Sequence, residues 1–223
     1  MKALWKWIEV LQWLVIAAMF AVGALVWPVV PDQIPLHWNL FGRVDRYGGK
    51  LEGLFLLPAI TLVIAVGLRL LPRVDPNGAR YAQFVGAFAV MRLAVAVALA
   101  GIYGAIVLSA LGVEVNTGLL SGVLVGALLV VTGAVMDQLQ PNWFIGIRTP
   151  WTLSSEESWR ATHRAGKWVF IAMGLAFVLA GLIQTAWALA VATALTVIGV
   201  LGLVVYSYRV WSKSARRAGA TGL

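Results

Sequence analysis

Residues 118–137 read GLLSGVLVGALLVVTGAVMD. No charge interrupts the run until Asp137 closes it. As a helix rising 1.5 Å per residue, it is about 30 Å long, the thickness of a bilayer hydrocarbon core. Working outward, comparable apolar runs occupy about 8–29, 54–71, 86–111, 168–185 and 187–208. The 223-residue chain is 61% hydrophobic and 12% charged, with a mean hydropathy of +0.88. A water-soluble domain is about half apolar. The sequence therefore predicts an all-α fold: a polytopic integral membrane protein, one six-transmembrane-helix bundle over 1–223. Within it, 10–72 form a helix pair around a long outer loop (30–53), and 118–208 form a C-terminal region with an amphipathic cytoplasmic motif (142–167) before helix 5.

The distribution of charge predicts the orientation. In a six-span layout, Lys2, Lys6, Arg69, Arg73, Arg80, Arg148, Arg160, Arg164, Lys167, Arg209, Lys213, Arg216 and Arg217 fall on one side. Only Arg43, Arg46 and Lys50 fall on the other. Basic residues are retained in the cytoplasm, so both termini are expected there, in a bacterial cytoplasmic membrane. The net charge of +8 is thus a lipid-facing feature, and no direct nucleic-acid partner is expected. Trp27, Trp38 and Trp187 at one interface, and Trp5, Trp7, Trp143, Trp151, Trp159, Trp168 and Trp211 at the other, fit indole belts.

With no cysteine, disulfides, thiolate metal sites and cysteine nucleophiles are excluded. The two histidines, His37 and His163, lie on opposite sides of this layout and cannot share a metal. His37 with Asp32 or Asp45 makes a weak ligand set, so no metal or cofactor is expected. HExxH, Walker and GxSxG patterns are missing, and no catalytic residues are predicted.

Three constellations stand out. The segment 142–163, NWFIGIRTPWTLSSEESWRATH, is too varied for a flexible linker. Pro150 fixes its own φ and extends Thr149. Ser154-x-x-Glu157 predicts a capping box and a helix starting near Ser155. Glu156 and Arg160 are spaced for an ion pair, and Trp159, His163 and Gly166 share one helix face. Asn142, Gly146, Arg148, Thr149, Pro150, Trp151, Trp159 and His163 then make either a cytoplasmic docking surface or gate, or an interfacial anchor seating span five.

The second is the outer loop, expected without regular structure and long enough to be functional. Pro35, His37, Trp38, Asn39, Gly42, Asp45 and Lys50 are its candidate ligand-binding residues, against a structured lid that binds nothing. The third is charge inside the membrane. Arg92 and Asp137 reach the same depth on spans three and four, so the expectation is an intramembrane pair, against an Arg that snorkels to the headgroups. Gly118, Gly122 and Gly126 form a small-residue ladder that serves helix packing within the chain or a homodimer.

At this point the motifs carry a resemblance. Ile34-Pro35-Leu36-His37-Trp38-Asn39 with Gly42, Asp45, Lys50 and Pro58, and Asn142 with Phe144–Leu153, Trp159, Thr162 and His163, resemble the SdpI family. The first looks like that family's N-terminal domain of unassigned function, the second like its C-terminal signature. The resemblance implies a membrane protein giving immunity to a secreted membrane-active peptide toxin, a bacteriocin-resistance role. It also implies a receptor that holds a cytoplasmic repressor at the membrane. The alternative is a small transporter or exporter of a peptide or lipid, for which Thr61, Tyr103, Ser109, Thr132, Gln184 and Thr196 are the few polar candidates.

Overall fold

A computed structural model describes residues 4–39 and 42–220. Six of its helices are long and apolar enough to cross a membrane: α1 (Leu4–Val26), α2 (Leu57–Val74), α3 (Val85–Ala110), α4 (Thr117–Met136), α6 (Glu156–Ile183) and α7 (Ala186–Ala220). The short α5 (Pro150–Ser154) precedes α6. A π-helical turn, Glu52–Leu56, leads into α2, and a 3-10 helix, Gly78–Gln83, joins α2 to α3. The protein is a multi-pass membrane protein whose helices alternate in direction. One end of the bundle carries the termini; the other carries the α1–α2 connection and the α3–α4 and α6–α7 turns.

The helices group by packing. Helix α3 lies against α1, α2 and α4, while α6 lies between α4 and α7. The α4–α6 seam is made by glycine. A Cβ on Gly122 would meet the Gly181 backbone, one on Gly126 the carbonyl of Gly174, and one on Gly133 the carbonyl of Lys167 at 2.8 Å. Absent side chains let the two backbones touch, the main attraction open to helices whose apolar faces lipid solvates equally well. The ladder is therefore used inside the chain, and its Gly122–Gly126 face is covered by α6. This corrects the homodimer reading of that face; a Cβ added to Gly118, at the helix start, would meet only its own capping residue.

The turns at the far end explain how these hairpins close. The Asn116 side chain caps α4 by accepting from the Leu119 N–H at 3.0 Å. Its amide donates to Gln184 Oε1 at 2.8 Å. Gln184 ends α6 in the left-handed conformation, φ 56°, so one side-chain bond ties both turns together.

The α1–α2 connection differs from expectation. It contains two antiparallel strands, β1 (Gln33–Trp38) and β2 (Val44–Gly49), paired from Gln33↔Gly49 to Trp38↔Val44 with an irregularity around Leu36. Pro35 and the Gly48-Gly49 pair read as strand breakers, but each strand here has an open edge, where a missing N–H or side chain is tolerated. The hairpin is seated by Ile34, which is fully buried against Gly53, Leu54, Tyr103 and Ile106. A second core, Tyr81, Phe84, Phe88, Leu139, Ile145 and Trp159, lies at the termini end.

Candidate functional site

At the termini end, the α4–α6 connection folds into a knot built around Asn142. That side chain is fully buried and fully used. Its Oδ1 accepts from the N–H groups of Phe144 at 3.0 Å and Ile145 at 2.7 Å; its Nδ2 donates to the carbonyls of Gln140 at 2.9 Å and Ile145 at 3.0 Å. A residue from the α2–α3 connection closes the far side. Asp75 takes the Asn77 N–H on Oδ1 at 2.7 Å, and on Oδ2 both the Tyr81 hydroxyl and the Trp143 N–H at 3.0 Å. Burial, then the Asp75 carboxylate, pushes the Tyr81 hydroxyl well above its usual range, so it stays a donor.

His163 holds the other side. Its Nε2 accepts the Ile147 N–H at 3.0 Å, so that nitrogen is bare; Nδ1 lies 2.9 Å from the Trp159 carbonyl and donates to it. The ring is thus neutral with a fixed tautomer, stacked on Trp159 at 4.0 Å between centroids. The Trp159 indole N–H donates to the Leu139 carbonyl at 2.8 Å. Gly146 sits at φ 105°, and a Cβ there would fall on His163 Nε2. Glycine is required on both counts.

The expected Ser154 cap moves by one residue and gains a companion. Thr149 caps α5 in a reciprocal box with Thr152, at 3.2 and 2.9 Å. Ser155, not Ser154, caps α6 through the Ser158 N–H at 3.2 Å. Thr149 is an extended residue before Pro150, as its neighbour demands. Ser158 donates to the Ser207 carbonyl at 2.9 Å, and the Thr149 and Ser207 hydroxyls are 3.0 Å apart, fastening the elbow to α7.

The structure thus brings Asn142, Gly146, Thr149, Trp159 and His163 together as a buried frame. Arg148 stays on the surface, donating to the Trp143 carbonyl at 2.8 Å. Trp151 packs edge-on against Tyr208 at 5.1 Å, and Pro150 starts α5. The exposed rim is Trp143, half exposed, with Phe144 and Arg148 beside it. Asp75, Tyr81 and Ser207 belong to this frame and were not anticipated. Asp75-Pro-Asn-Gly forms a turn through the Gly78 N–H and the Asp75 carbonyl at 2.9 Å.

At the opposite end, His37 Nδ1 lies 2.6 Å from Asp45 Oδ1 across the hairpin. Arg46 pairs with Glu52, and Lys50 reaches Asp32 at 3.4 Å and the Trp27 carbonyl at 3.3 Å. Asn39 Oδ1 accepts from the Arg43 N–H at 3.1 Å, and its carbonyl takes the Gly42 N–H at 2.9 Å, Gly42 having φ 72°. Trp38 and Pro35 are partly buried, while His37 and Asp45 are exposed. An apolar cavity of about 360 Å³ opens at the hairpin base, lined by Leu51, Glu52, Phe55 and Leu56.

The Arg92–Asp137 pair is not formed. Arg92, buried, binds Glu9 of α1 at 2.5 Å and lies over the Phe88 ring at 5.0 Å. Arg69 reaches the same carboxylate oxygen at 3.3 Å. Asp137 instead takes Lys167 of α6 at 2.8 Å. Equal depth on two helices does not fix the direction each side chain faces: Arg92 faces α1 and Asp137 faces α6. Glu9, the carboxylate inside the first apolar run, is the partner that was overlooked.

Comparison with known proteins bears on both ends. Residues 138–207 match the model of the SdpI/YfhL protein family. Residues 14–62 match that of a domain of unknown function, DUF1648. The chain is also similar to "Immunity protein SdpI" of Bacillus subtilis (strain 168), with 24% identity over 166 residues, covering 74% of this chain and 77% of that protein. No solved structure matches the chain.

Proposed function

We propose, from the premise that residues 138–207 belong to the SdpI/YfhL protein family, that the chain is an immunity protein of the cell membrane. It protects its bearer against a secreted, membrane-active peptide and catalyses no reaction. The observation that carries this reading is the 166-residue likeness to an immunity protein. A match of that length includes the 142–163 knot wherever in the chain it begins.

In this reading the hairpin end faces outward, as the thirteen-to-three division of basic residues favours. His37, Trp38, Asn39 and Asp45 present hydrogen-bonding and aromatic groups on a seated scaffold, and Lys50 braces it. The cavity at its base accepts an apolar side chain of the peptide. Peptide bound there favours one arrangement of the bundle, and by mass action that arrangement dominates. The rim of Trp143, Phe144, Arg148 and Trp151 is the surface a cytoplasmic repressor would use. Transport fits less well, because three of the six polar candidates are otherwise engaged. Thr61 donates to the Leu57 carbonyl at 2.7 Å, Thr196 to that of Ala192 at 2.9 Å, and Gln184 accepts from Asn116.

The test is survival and membrane potential of peptide-sensitive bacteria expressing the chain, challenged with a secreted membrane-active peptide of the sporulation-delay type. Protection is expected, and His37→Ala and Trp38→Ala are expected to remove it at unchanged membrane levels. Full protection by both variants would take the hairpin out of the mechanism. Absence of protection by the correctly inserted wild-type chain would refute the immunity reading for that class of peptide.

A further inference from the structure

A second cavity, this one polar, opens beside the knot, between the end of α4 and the first turns of α6. Its volume is about 330 Å³, and Asp137, Leu139, Gln140, Arg160 and Arg164 line it. The charges around it do not cancel. Glu156 is shared by Arg160 at 3.0 Å and Arg80 at 2.9 Å, and Asp137 is matched by Lys167 at 2.8 Å. Arg164 has no ion pair among the described residues. The wall of the cavity thus carries two arginines and one carboxylate, which Lys167 already pairs, and the arginine without an ion pair is part of that wall.

The depth of the cavity identifies what it meets. One turn beyond Arg164, Trp168 is 67% exposed, with Lys167 Nζ 5.8 Å from its ring. The apolar part of α6 follows at once. An exposed indole with a lysine ammonium near its ring, where the apolar part of the helix begins, marks the headgroup layer, so the two guanidiniums lie where lipid phosphates are. Guanidinium forks bind phosphate oxygens bidentately, whereas an ammonium acts as a point charge.

We propose that this cavity is a binding site for the phosphate of an anionic phospholipid headgroup, held by Arg164 and Arg160. Leu139 forms its apolar wall, and Gln140 is placed to donate to the headgroup. The site does not depend on the immunity reading.

Native mass spectrometry of the intact, detergent-purified chain tests it. Short-chain phosphatidylglycerol, short-chain phosphatidylcholine and inorganic phosphate are titrated separately. Phosphatidylglycerol is expected to bind about tenfold or more tightly than phosphatidylcholine, and Arg160→Gln with Arg164→Gln to lower its affinity about tenfold or more. Arg164→Lys should retain part of the preference, while Lys213→Gln with Arg216→Gln in the tail should retain all of it. Thermal unfolding of each variant separates a lost site from a lost fold; if the double glutamine variant does not fold, Arg164→Gln alone is read the same way. Equal binding of the two lipids, or a preference unaffected by substitution at Arg164, would overturn the proposal. Saturation by inorganic phosphate at the same affinity as the lipid would also overturn it, assigning the cavity to the free ion.

Discussion

Asn142 is one amide answering for four backbone groups of a buried loop. Replacing it with alanine leaves the N–H groups of Phe144 and Ile145 and the Ile145 carbonyl without partners. Each buried group so stranded costs about 1–3 kcal/mol. Asn142→Ala is therefore expected to lower stability by at least about 3 kcal/mol, measured by denaturant unfolding in detergent. Arg148→Ala, on the solvated rim, should change it by less than about 1 kcal/mol. Gly146→Ala belongs with the first class, since its Cβ meets His163 Nε2 at a φ that disfavours any side chain. The charge inside the bundle yields a sharper comparison. Glu9→Gln leaves Arg92 buried without its anion and is expected to cost about 3–5 kcal/mol. Glu9→Gln combined with Arg92→Met should recover most of that loss, and additive losses in the double-mutant cycle would show that the two side chains do not act as a pair.

At the scale of elements, the α4–α6 seam depends on groups that are not there. Gly126→Leu forces α4 from α6 at the Gly174 carbonyl and should prevent a stable fold, read as loss of a cooperative unfolding transition. Gly118→Ala, at the open start of the helix, should be tolerated. The spans were legible because length and hydropathy alone decide them: the expected 118–137 run became Thr117–Met136, and 86–111 became Val85–Ala110. The boundary of α6 was legible from its serines and acids to within one residue, though the capping serine was misassigned between neighbours with identical chemistry. The β-hairpin was hidden, because its defining contact is Ile34 entering a socket made by Gly53, Leu54 and two residues of α3. No local pattern encodes that meeting. Asp75 was hidden for the same reason: one carboxylate oxygen makes the local turn that its sequence announces, while the other reaches Trp143, sixty-eight positions away.

For the whole molecule, the natural absence of cysteine makes the orientation directly measurable, because any introduced thiol is unique. In intact cells, Gly49→Cys is expected to react with a membrane-impermeant maleimide, and Lys213→Cys only after permeabilisation. The reverse pattern would invert the bundle and with it the assignment of the hairpin to the peptide-facing side.

The arrangement of packing partners has one more consequence. Helices α1, α2 and α3 share the hairpin core, and α4, α6 and α7 share the glycine seam and the hydroxyl fastening at Ser207. Only the short α3–α4 turn joins the two sets covalently, although α3 also packs on α4. The chain is thus severable: a cut in 113–116 divides the connection but neither set. Two coexpressed fragments would each enter the bilayer as three spans and then find each other sideways, along the α3–α4 face and through the Asp75–Trp143 contact. Stability carried by the turn itself would appear as dependence of that reassembly on fragment concentration, a property the intact chain replaces with a tether.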